Sequence, residues 1–510
     1  MAKPSCSSLP EFEGVRVREL IGRSARRTRG VAARAVVVVL AATLLSVPVL
    51  AHGGPGLNSE PVETPTWLFL LTGGGVIAVS FLLTSFVTDR ATLEGYHERR
   101  LSVPGGETIR RWGGRLAAVV GVLGLAAIVV VGLNGPAAPN RNLAVLLVWV
   151  VWWAGFTASV YLVGNSWPAL DPFRAVTDLL PAEGRVELPE WVGTWPSVAG
   201  LLLLIWLEVV SDVASDPGQL TAIVVAYAVV TVLGSLVLGR RVWVTQVDPI
   251  AHVFRVYGRV APVQRTEDGL ELVVPGAALA TRRRDVATRR TRMGDEGPAA
   301  ADGGSLATPS AAFAVSEVGF VVALLWVTSF DGFVATPLWR DVIVPISRAG
   351  VPPRLAYFGA LLVGYAGFLA AYWWASKLVR RTGQTFLSTT TIAVAFAPAL
   401  VPIAAGYHLA HYLPYFLRYV PSALGAAASP LAPPELLVLS MPGWVGYVGP
   451  AAVLLGHVLG VWVAHSRSFD LFTGKLQPIR SQYPFVVVMV VYTAVSLWLL
   501  SQPAVKIGVL

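Results

Sequence analysis

The chain has 510 residues, 55% of them hydrophobic and 14% charged, with a formal net charge of +9. Soluble domains carry roughly 25% charged residues, so this composition, with a mean hydropathy of +0.63, excludes an ordinary soluble enzyme. The single cysteine, Cys6, excludes an internal disulfide framework and a cysteine-based metal centre.

The first apolar run, 31–51, follows Arg23, Arg26, Arg27 and Arg29 and leads into His52. A basic stretch, an apolar centre and small residues at its end fit a signal peptide cleaved after Ala51, and equally an uncleaved signal anchor. Residues 1–51 therefore form a separate N-terminal segment. Ten further runs lie near 66–87, 115–133, 142–163, 191–210, 219–238, 311–334, 355–375, 391–412, 448–465 and 485–500. Each approaches the roughly 20 residues a helix needs to span lipid. The expected fold is all-α, a polytopic transmembrane helix bundle. Five helices fall in 52–239 and five in 311–510.

Arginine placement sets the expected orientation. Arg99, Arg100, Arg110 and Arg111 follow the first of the ten helices, Arg240 and Arg241 the fifth, and Lys377, Arg380 and Arg381 the seventh. Arg467, Lys475 and Arg480 follow the ninth. In a strictly alternating map these loops share one side, which the positive-inside rule makes cytoplasmic, with the C-terminus exported at the cell membrane. The basic charge is thus assigned to the lipid bilayer and not to nucleic acid. The insertion 240–310 is cytoplasmic on this map. Its opening, VWVTQVDPIAHVFRVYGRV, is expected to be an amphipathic surface segment, and 270–274 a short strand. Its arginine-, glycine- and alanine-rich remainder is expected to be disordered. LDPFRAV and VDPIAHVFRV form a faint internal echo, in which Asp171 and Asp248 each precede a helix-starting proline.

Ionisable groups inside a membrane are costly, so they tend to face the bundle interior or a wet cavity. The exported helix ends carry Glu208, Asp331, His408 and His411. Three residues apart, the two histidines sit about 60° around and about 4.5 Å along a helix, which lets their rings converge. Imidazole suits copper or zinc. His52 lies on the same expected side, and Glu208 and Asp331 offer oxygen ligands or orient the rings. The expected metal set is His408, His411, His52, Glu208 and Asp331. The same residues also suit a metal-free hydrogen-bonded pair, or proton and substrate handling. His457 lies deeper, and His465 is expected at the interface. Pro398 and Pro402 interrupt the ladder ahead of the histidines. Phosphate-loop, HExxH and GxSxG motifs are absent.

The AHG at 51–53, WPALDPFR, APALVPIAAGYHLAHYLPYF, GHVLGVWVAH and SQYPFVVVMVVYTAVSLWLLSQP together carry a likeness. The chain resembles an uncharacterised family of bacterial and archaeal polytopic membrane proteins, some of which bear the label fenitrothion hydrolase. The likeness is strongest from Thr391 onward. That label implies phosphotriester cleavage without supplying a catalytic pattern for these residues, and the His52 opening also looks like copper-handling exported proteins. The leading expectation is a protein that binds or moves a transition metal at the exported face. The alternatives are a metal-independent solute transporter, a membrane hydrolase, and a structural or assembly subunit with a membrane or exported protein partner.

Overall fold

The computed structural model describes residues 66–178, 186–266, 269–280, 311–436, 438–503 and 505, with side chains from residue 73. The N-terminal segment, His52 and the arginine-rich stretch 281–310 lie outside the described residues.

Helix α1 (Thr66–Ser85) turns through 111° into α2 (Arg90–His97). The turn is set locally, because Asp89 caps α2 by accepting from the Thr92 amide. Helices α3 (Gly106–Asn134) and α4 (Leu143–Leu162) follow. Two short helices come next, α5 (Trp167–Leu170) and α6 (Pro172–Thr177), then α7 (Glu190–Val210) and α8 (Pro217–Leu238). Helix α9 (Pro249–Tyr257) precedes α10 (Ala311–Val334), α11 (Pro337–Arg348) and α12 (Pro353–Thr382). Helices α13 (Thr389–Ala428), α14 (Val445–Leu471) and α15 (Leu476–Ser501) complete the bundle. Among the described residues nine helices are long and apolar enough to cross a membrane, or ten when the bent α1–α2 pair is one span. This is an all-α, multi-pass architecture, and all ten runs found in the sequence are helices.

The only sheet among the described residues has three antiparallel strands in the order β1 (Arg100–Ser102), β3 (Gly269–Val273), β2 (Val263–Thr266). The strand expected at 270–274 is therefore present, one residue earlier. The segment before it departs from expectation. Instead of lying on a surface, α9 buries Val253, Phe254 and Tyr257 against α4, α7 and α13. Phe254 meets Trp152, Phe156 and Trp167 edge-on or tilted, at ring separations of 5.0–5.6 Å. An aromatic payload of that size finds more apolar area inside the bundle than at an interface.

The internal echo has a structural counterpart. Asp171 accepts from the Phe173 and Arg174 amides, and Asp248 from the Ile250 and Ala251 amides, so each caps a helix that a proline starts. Tyr227 on α8 donates to Asp248.

Helices on either side of the 240–310 insertion pack together, α7 on α10 and α4 on α13. Helix α3 is peripheral, with Leu116, Leu123 and Leu133 exposed as a lipid-facing surface would be. Helices α10 and α13 are internal. Proline breaks the α-geometry of α13 at Ala397–Leu400, a 3₁₀ turn, as Pro398 and Pro402 lead one to expect. The helix then runs to Ala428, well past the expected end near 412, despite Pro414 and Pro421. Tyr415, Ala423 and Ala426 pack there against Val131, Leu143, Leu146, Val150 and Ala154. Tertiary packing thus holds a helix whose sequence carries two stop signals.

Helices α13 and α14 approach backbone to backbone. A Cβ on Gly406 would lie 2.5 Å from the Ala452 carbonyl oxygen, and one on Gly456 would lie 2.5 Å from that of Pro402. Small residues at helical spacing allow such close crossing in lipid, where dispersion takes over from the hydrophobic effect.

Candidate functional site

Three helices bring ionisable groups together. His411 Nε2 of α13 lies 2.9 Å from Asp331 Oδ2 of α10, and both side chains are largely shielded. The Tyr412 hydroxyl donates to the same Asp331 oxygen at 3.3 Å. Glu208 on α7 lies within electrostatic range of Asp331 and Tyr412. Asp331 and His411, from distant parts of the chain, therefore meet, and the charge of Glu208 acts on Asp331. Low local dielectric strengthens the interaction between a carboxylate on α10 and an imidazole on α13.

His408 belongs to a different set of contacts. It is 1% exposed, and its Nδ1 lies 3.1 Å from the Tyr161 hydroxyl of α4. Trp153, Tyr257 and Tyr412 surround its ring at 5.5, 6.0 and 4.6 Å. Its Nε2 has no hydrogen-bond partner. The two histidines thus serve separate neighbours, and the Tyr412 ring touches both, 4.8 Å from that of His411. Among the described residues no group of three His, Cys, Asp or Glu side chains is placed to hold a metal ion. His52, the remaining member of the expected set, lies outside them.

Trp153 reaches this site from a π-helical stretch, Leu146–Phe156. Such widened turns often occur at functional positions, because the extra residue per turn re-aims side chains. Nothing in the VWVVWWAG run signals it, and Tyr161 and Tyr412 are likewise invisible as partners without the fold. A second His–carboxylate contact also escaped the sequence reading. His252 on α9 is 0% exposed and stacks on Phe320 at 3.7 Å and 7°. Its Nε2 lies 3.2 Å from Glu317 Oε1, which Arg255 meets at 3.4 Å. Burial holds the His252 imidazole below its usual range, while Glu317 pulls it up. Glu317 was legible as the lone charge in AAFAVSEVGF, a default functional candidate inside a membrane.

The other described histidines contact backbone or uncharged side chains. His457 Nδ1 meets its own helix at Val453 O, 2.8 Å away. His465, buried within the protein, has its Nε2 2.8 Å from Val87 O and its Nδ1 3.2 Å from Gln482. His97 meets Ser466 at 2.9 Å. Together His97 and His465 tie the bent α1–α2 segment to α14.

No family model, curated protein or solved structure matches the chain.

Proposed function

We propose that the protein is a membrane transporter of the cell membrane whose Asp331–His411 pair, with Glu208 beside it, binds and releases a proton as a small solute moves. The single observation that carries this reading is the 2.9 Å contact between His411 and Asp331 inside an apolar bundle. Buried ion pairs are a poor source of stability, since desolvation offsets their attraction. Where they persist inside a membrane, proton and substrate pathways are their usual setting. The broken helix α13 and the π-helical stretch of α4 flank the site, as irregular backbone tends to in transporters. On the orientation given by the arginines the pair faces the exported side.

Proton flux into proteoliposomes, followed by a pH-sensitive dye while candidate solutes are added, tests this reading. The native protein is expected to give solute-dependent flux, and Asp331→Asn to lower it at least about tenfold. Equal flux from the native protein and Asp331→Asn would refute the role of the pair.

One observation favours a second reading, a transition-metal site. His408 Nε2 is buried without a partner three residues from His411, which suits copper or zinc capture if His52 completes the set. Elemental analysis separates the two readings. Copper or zinc retained by the native protein and lost from the His408→Ala, His411→Ala double variant supports a metal centre. Metal-free native protein with intact flux supports the proton reading.

A further inference from the structure

The second histidine–carboxylate contact sits on the same helix as the first. Glu317 and Asp331 are fourteen residues apart on α10, which places them about 21 Å apart along the axis and about 40° apart around it, nearly on one face. Each faces a histidine from a different helix, His252 on α9 and His411 on α13. Tyr257, on α9 with His252, donates to Ala404 O at 3.5 Å, and its ring lies 5.4 Å from that of Tyr161. Tyr161 meets His408, and His408 packs on Tyr412, which donates to Asp331. Polar groups therefore punctuate the apolar interior from one pair to the other.

The His252 Nδ1 has no hydrogen-bond partner, and the ring is held flat on Phe320 with its Nε2 facing the Glu317 carboxylate. The charged groups facing the pair are Arg255 and Arg259, both of which act on Glu317, while Arg255 also opposes the charge on a protonated His252. A cation next to a carboxylate keeps it ionised, which leaves the imidazole as the group that takes the proton.

We infer that His252 and Glu317 form a second proton-binding centre, at the opposite end of α10 from Asp331 and His411. This rests on the transporter reading for its purpose. In it, a proton leaving one pair for one side of the membrane is balanced by a proton entering the other pair from the opposite side, with Tyr257, Tyr161 and His408 between them. No bond other than those to the proton forms or breaks.

Nitrogen-15 spectra of the full-length protein, labelled at histidine and titrated from about pH 8 to about pH 4, test the inference. His252→Phe and His411→Phe assign the two rings. The expected result is that His252 gains a proton within this range, with a midpoint that falls by at least about half a unit in Glu317→Gln and is largely restored in Glu317→Asp. The His411 signal, unchanged in both variants, reports that the fold is intact. A His252 ring that stays neutral throughout, or one whose midpoint ignores Glu317→Gln while His411 is native-like, overturns the inference. If Glu317→Gln does not fold, the native titration decides alone. A failure of the Asp331–His411 reading, seen as flux indifferent to Asp331→Asn, leaves the His252 titration readable, so the two failures are distinct.

Discussion

At the residue scale, function and stability pull on the buried acids in different ways. Asp171 is 6% exposed, and burial, with the charge of Asp248 adding to it, pushes its carboxyl up to about 6. An acid raised in the folded state binds its proton before the unfolded chain does. Acidification from about pH 6 to about pH 4 therefore stabilises the protein through this group, and stability falls as pH rises through that window. Thermal unfolding in detergent should show this slope, on the order of 2 kcal/mol across the window. Asp171→Asn keeps the capping oxygen and should flatten it; an unchanged slope would mean that Asp171 is not the group responsible. The polar residues of the candidate site were legible one by one, because Glu208, Asp331, His408 and His411 stand out in apolar runs. Their pairing was not. Spacing on one helix brings His408 and His411 near each other, but the choice of Tyr161 for one and Asp331 for the other depends on α4 and α10.

At the element scale, the ten hydrophobic runs gave the helices and the prolines gave the break in α13, because both are local physics. The length of α13 beyond 412 and the burial of α9 were hidden, since tertiary packing decides them. The contact between α13 and α14 offers a sharp test. Gly406→Val or Gly456→Val drives a side chain into the facing backbone and should cost about 3 kcal/mol or more, seen as a lower unfolding midpoint and poorer yield. Gly124→Ala, on a peripheral helix with open space around it, should be neutral or slightly stabilising. If all three behave alike, the close crossing is not what holds the pair together.

At the scale of the whole molecule, the sequence reading of a multi-pass all-α bundle follows from run length and charge alone, whereas the interleaving of its two halves does not. Its orientation is open to direct measurement, because replacing Cys6 leaves a cysteine-free chain. Single cysteines at Arg111 and Arg381 should react with a membrane-impermeant maleimide only after cells are opened, and one at Gly443 should react in intact cells. The reverse pattern would invert the map and place the Asp331–His411 pair toward the cytoplasm. Proton exchange by this pair, with Glu208, inside the bundle is the step on which the transport reading depends. Infrared difference spectra of the reconstituted protein, stepped from about pH 8 to about pH 5, test it most directly. A protonated-carboxyl band is expected, lost or shifted in both Asp331→Asn and Glu208→Gln. A band indifferent to both substitutions would contradict it.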